Sequence, residues 1–202
     1  MSLINRPARF WTMLALIAAV AVPATTFAQE QPTNPRTPNA PADRAASRTP
    51  DNRTPAKPVT AQSFASQAAI IGKAEIELGQ IALRNSKDES VKNYAQRMIQ
   101  DHTAADKKLQ SIAATENIPL PSKLDPEHEA TKMKLKGMTG EQFDKEYAKA
   151  MVDGHGKAVA LFESASQQPQ MPSALKEFAA STLSTLEKHE DLAHTLHDKE
   201  GA

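Results

Sequence analysis

The sequence predicts an all-α protein, an antiparallel four-helix bundle with a long crossover link containing a short helix. Three observations predict it. Apolar residues recur at alternating spacings of three and four along four long segments after Thr60, as on the buried face of an amphipathic helix. No segment shows convincing period-two alternation, the mark of a half-buried strand. There is no cysteine and only 4% of the residues are aromatic, so a core has to come from close packing of alanine-rich and aliphatic faces rather than from disulfides.

The elements follow in chain order. Residues 1–28 read as a secretory signal peptide: Arg6 and Arg9 precede an apolar run at 13–22, and small residues lead to Thr26-Phe27-Ala28. That run is short for a membrane span, and an uncleaved anchor is the competing reading. Without cysteine, a lipoprotein anchor and thiolate chemistry are both excluded. The expected location is the periplasm or cell envelope. Residues 29–59 hold prolines at 32, 35, 38, 41, 50, 55 and 58 with almost no apolar periodicity. Such a stretch buries too little apolar surface to offset its chain entropy and reads as a disordered tether. Its arginines (Arg36, Arg44, Arg48, Arg53) and Lys57 leave a cell-envelope binding arm as the alternative.

The folded domain spans residues 60–202. Helix one, 61–84, carries Phe64, Ala68, Ile71, Glu75, Leu78 and Ala82 on one stripe. Ser86 and Glu89 have capping-box spacing and open helix two, 87–115. Its stripe is Val91, Ala95, Met98, His102, Ala105, Leu109 and Ile112. Pro119 and Pro121 interrupt the pattern, and Asp125-Pro126 starts a short helix that Gly137 ends. Thr139 and Gln142 form a second capping-box pattern at the head of helix three, 140–167, with Phe143, Tyr147, Met151, His155, Ala158 and Phe162 in line. After Pro169 and Pro172, helix four, 173–198, aligns Leu175, Ala179, Thr182, Leu186, His189, Ala193 and Leu196. Short links within each pair imply two hairpins, and the long link carries the chain from one to the other, a ferritin-like arrangement.

From Thr60 onward 17 Lys and Arg stand against 21 Asp and Glu. This mildly acidic balance excludes a nucleic-acid footprint. The chemical lead is one metal-capable side chain per long helix on an otherwise apolar stripe: Glu75, His102, His155 and His189. A polar group turned into a core is costly unless paired or ligated. Counted from the hairpin turns at about 1.5 Å per residue, Glu75 and His102 differ in height by only ~6 Å, and His155 and His189 are similarly offset. Three neutral imidazoles and a carboxylate suit one divalent ion such as zinc, copper or iron. The plainer reading packs each histidine in the core with a local hydrogen bond. Asp101 and Asp153 flank the site as orienting groups or as solvated charges. His128, His194 and His197 read as exposed, and the methionines as gap fillers. Gly154 and Gly156 bracket His155, where they allow close helix approach or ligand access.

At these residues the chain resembles a bacterial family, domain of unknown function family 4142. The resemblance is carried by Ala74-Glu75-Ile76-Glu77-Leu78-Gly79, Met98-Ile99-Gln100-Asp101-His102 and Gly140-Glu141-Gln142-Phe143-Asp144-Lys145-Glu146-Tyr147. His155 with Val159, Phe162 and Glu163, and Leu183-Ser184-Thr185-Leu186 before His189, continue it over about 62–197. The resemblance implies an exported ferritin-like bundle whose role is not established. Two features depart from the family pattern: Ser184 where proline is common, implying a last helix that is unkinked or differently bent, and the glycines beside His155. The chain also lacks the Glu-x-x-His pairs of di-iron ferritins, since Ile99, Val152 and Leu186 stand three residues before the histidines. Iron storage and oxygen activation are therefore not inherited from the fold.

Three functions follow in order: a single-metal binding bundle, a metal-free envelope stress or protein-interaction bundle, and a metalloenzyme. The last has no nucleophile elbow, phosphate loop or carboxylate pair to support it. The sequence specifies neither a partner nor an oligomeric state.

Overall fold

The computed structural model describes residues 59–201. The segments read as a signal peptide, 1–28, and a Pro-rich tether, 29–59, lie outside the described residues, Val59 excepted. Among the described residues there are five α-helices and no strand: α1 (Ala61–Asn85), α2 (Glu89–Thr115), α3 (Pro126–Lys136), α4 (Gly140–Gln167) and α5 (Ser173–Gly201). None is long and apolar enough to cross a membrane. α5 is continuous through Ser184.

The helix ends show what the sequence pattern could and could not specify. Thr60 and Ser63 form a reciprocal capping box that starts α1. α2 is capped by Asp88, not by Ser86: the Asp88 carboxylate accepts from the amides of Ser90 and Val91. Ser86 instead closes α1, and its Oγ accepts from the Asp88 amide at 3.0 Å. Two cap-forming residues stood two positions apart, and the carboxylate is the stronger acceptor for a helix start. Thr139 does occupy the N-cap of α4, but its side chain makes no capping bond, so the expected box there is absent. Asp125, Pro126 and Gly137 bound α3 as their spacing predicts. α2 ends with Asn117 at φ 55°, the amide of Ile118 reaching the carbonyl of Ala113 and that of Asn117 the carbonyl of Ala114. This pair of bonds ends the helix in a left-handed residue, and asparagine tolerates that conformation.

α1 packs on α2 and α4 on α5, while α1 also meets α4 and α2 meets α5, so the four long helices form a closed ring. α3 lies against α1 and α4. The link from α2 to α3 is tied to α1, Gln62 donating to the carbonyl of Pro119 and Lys73 to that of Ser122. At the other end of α1, Asn85 donates to the carbonyl of Met138 at 2.7 Å.

The core is divided in two. One cluster holds Leu78, Val91, Met98, Phe143, Met151 and Leu196, among others. The other centres on Phe64, Phe162 and Phe178, whose rings pack edge-on or tilted at 5.1–6.3 Å. On each long helix the change from one cluster to the other occurs across a single polar residue: Glu75 on α1, His102 on α2, His155 on α4 and His189 on α5. Each buried aliphatic or aromatic side chain contributes about 1.5–3 kcal/mol. The polar layer between the clusters forgoes that contribution at four positions.

Candidate metal centre

The four stripe positions are all buried: Glu75 is 5% exposed, His102 5%, His155 1% and His189 2%. The three histidines come together. One ring nitrogen from each lies within 4.8 Å of the other two, and the ring centroids are 5.5–5.8 Å apart. The Glu75 carboxylate is not among the atoms that gather within that distance. Glu75 instead lines another cleft, between α1, α3 and α4.

In two of the three rings, His155 and His189, a hydrogen bond fixes which nitrogen is free. His155 Nδ1 lies 2.9 Å from the carbonyl oxygen of Met151. A carbonyl only accepts, so Nδ1 carries the proton and Nε2 keeps its lone pair. His189 Nε2 lies 2.9 Å from Asp101 Oδ2, so Nε2 donates to the carboxylate and Nδ1 is left as the base. Each ring of the cluster keeps one buried nitrogen without a partner, His102 Nε2, His155 Nε2 and His189 Nδ1, as His197 Nδ1 does farther along α5. A carboxylate or backbone carbonyl behind an imidazole is the usual support of a metal-ligating histidine, fixing its tautomer and raising its basicity.

Burial favours the neutral form of two of the rings, His102 and His189. His102 is lowered to about 3, chiefly by desolvation and further by the proximity of His155 and His189. His189 is also lowered by burial, against the opposing pull of Asp101. Neutral imidazoles are the form that binds a metal. Glu75 is raised by desolvation, which the nearby rings of His155 and His128 oppose.

Asp101 was read from the sequence as a partner for His102 or a solvated charge. It instead crosses from α2 to α5, holding His189 and lying 3.8 Å from Arg97 Nε. Asp153 pairs with Lys149 on the surface of α4. Tyr94 is the contributor that the stripe did not single out. Its hydroxyl donates to the backbone carbonyl of His189 at 3.3 Å and lies 3.5 Å from His155 Nδ1. Its only sequence signal was a polar-tipped residue beside Ala95 at the edge of an apolar face. His194 is exposed, and His128 bonds Asp125 at 2.7 Å. A cavity of about 270 Å³ between α2 and α5 is lined by Asp101, His102, Lys108, Thr185 and His189, and so reaches two of the three histidines.

Residues 45–196 match the domain of unknown function DUF4142. No curated protein matches the chain. Among solved structures, it is similar to a candidate secreted DUF305 protein from Streptomyces coelicolor, with a TM-score of 0.61 and 18% identity over 72% of this chain and 96% of that one. It is also similar to a DUF305 fragment from Deinococcus radiodurans, with a TM-score of 0.60 and 17% identity over 71% of this chain and 99% of that one. These likenesses establish a shared helical fold.

Proposed function

Because the chain belongs to the DUF4142 family, whose function is unknown, we propose from its site that it is an exported helical bundle binding one divalent metal ion through His102, His155 and His189. The carrying observation is that three buried histidines on three different helices bring one nitrogen each within 4.8 Å of the others, while each ring keeps a nitrogen without a partner. Three nitrogens within 4.8 Å of one another can lie no more than about 2.8 Å from a common centre, against ~2.0–2.1 Å in a zinc–imidazole bond. Movements of less than an ångström would close the site. Zinc, copper and iron suit the donor set, and a three-histidine site keeps a position open for water or a small ligand. Asp101 orients His189, and Met151 orients His155 through its carbonyl. The same reading takes the four long helices as a ferritin-like bundle, supported by their closed ring of contacts. Export to the periplasm or cell envelope rests on the N-terminal pattern and on the likeness to the candidate secreted Streptomyces protein.

The test uses untagged mature protein, with bound metal measured by mass spectrometry and thermal unfolding followed with and without chelator. Free metal at a hundred times its dissociation constant should stabilise the fold by about 2.7 kcal/mol. One equivalent of metal is expected, lost on His155→Ala and retained on His194→Ala. Metal-free protein whose melting ignores zinc, copper and iron would favour a bundle that acts through its outer surfaces alone.

A further inference from the structure

A second cleft, of about 380 Å³, opens between α1, α3 and α4 and does not include any of the three clustered histidines. Part of its wall is aliphatic, formed by Ile70, Ile71, Leu78, Leu135 and Leu161, and charged side chains of α3 and α4 line the rest. Glu75 lines the same cleft. That carboxylate is 5% exposed, and its Oε2 has no hydrogen-bond partner. Gly154 lines the cleft as well, and a Cβ there would stand 3.4 Å from Glu75 Oε1. A glycine inside a helix costs about 1 kcal/mol against alanine; here it leaves the carboxylate uncovered by any side chain from that position.

The acidic groups nearer the rim are already matched. Glu127 pairs with Lys157, Glu146 with Lys134 and Asp153 with Lys149, and Asp125 is engaged by the amide and ring of His128. Glu75 is thus the one carboxyl group lining the cleft that has no ion-pair or hydrogen-bond partner. A hard metal ion would require several oxygen ligands, and only one carboxylate is free. A single buried carboxylate beside an aliphatic wall matches an ammonium group on a hydrocarbon body.

We propose that the α1/α3/α4 cleft binds a small organic cation, its ammonium group on the Glu75 carboxylate and its hydrocarbon portion against the aliphatic part of the wall. This site is separate from the three-histidine centre and does not rest on metal being bound there.

The experiment titrates the full mature chain with n-butylammonium chloride, followed by amide chemical shifts and by calorimetry. n-Butanol, magnesium and calcium are run in parallel. Saturable shifts should appear at Ile70, Ile71, Leu135 and Ala150, and Glu75→Gln should weaken binding about tenfold or more. Gly154→Ala, whose added Cβ makes only an ordinary contact, should weaken it to a smaller degree while the protein remains folded. His102→Leu should abolish metal uptake and leave butylammonium binding intact, which separates this proposal from the metal reading. The proposal is overturned if butylammonium gives no saturable shifts in the cleft, if Glu75→Gln binds it equally well, or if n-butanol or the divalent ions bind there as tightly.

Discussion

At the residue scale, the centre depends on groups whose alternatives can be separated by substitution. A histidine kept only for packing should tolerate an apolar replacement, because removing a buried, unpartnered polar atom relieves a desolvation cost of about 1–3 kcal/mol. His102 Nε2 is such an atom. His102→Leu is therefore expected to leave the metal-free protein at least as stable as the parent while abolishing its stabilisation by metal, as read by denaturant unfolding with and without the ion. Asp101 acts one step away. Asp101→Asn keeps the shape but removes the charge that holds His189 Nε2–H, and metal affinity should fall about 10–100-fold in a competition titration with a chromophoric chelator. An unchanged affinity would mean that Asp101 does not orient the ligand.

At the scale of the element, the helices were legible in the sequence because a single period governs each of them. α4 spans the expected residues, and every position of its stripe from Phe143 to Phe162 is buried. Inward facing was legible for the same reason. What lies opposite an inward residue was not, because periodicity describes one helix and contact needs two. Glu75 shows the consequence: its burial follows from its stripe, but its separation from the histidine cluster depends on how α1 is rotated against α2 and α4. Asp101 shows the converse, a surface-phase residue of α2 whose partner is on α5. Close approach was likewise hidden. At Gly79 an added Cβ would come within 2.9 Å of Ile99 Cγ1 and 3.1 Å of the Ala95 carbonyl, which sets the α1–α2 spacing. Overpacking costs about 1–3 kcal/mol, against the ~1 kcal/mol that alanine gains over glycine in helix propensity. Gly79→Ala should therefore destabilise the domain by roughly 1 kcal/mol, whereas Gly72→Ala, with nothing within 4 Å of the added carbon, should not. A denaturant midpoint for each variant distinguishes them.

For the whole molecule, the polar layer makes stability depend on pH, and the signs differ among its members. The folded pKa of His102 is depressed to about 3 from an ordinary 6.5. The unfolded chain takes up a proton in that window and the folded one does not, so the stability is present above pH 6.5 and is lost as pH falls toward 3. His189, also depressed, acts in the same direction. Glu75, raised by burial, acts the opposite way, its contribution present below pH 4.5 and lost as pH rises through its folded value. In a Glu75→Gln background the metal-free protein should lose on the order of 1 kcal/mol per pH unit on acidification below pH 6.5. Adding His102→Leu should flatten that limb. Equal slopes with and without the second substitution would contradict the buried neutral histidine.

The ring of helices brings His102, His155 and His189 to one point between two apolar clusters, and the central claim is that this point holds a metal. X-ray absorption on the zinc- or copper-loaded protein measures it most directly, by counting imidazoles around the ion. Three imidazole nitrogens at about 2.0–2.1 Å are expected in the parent, and fewer after His189→Ala. A loaded ion surrounded by oxygen alone, or an imidazole count unaffected by that substitution, would contradict the account.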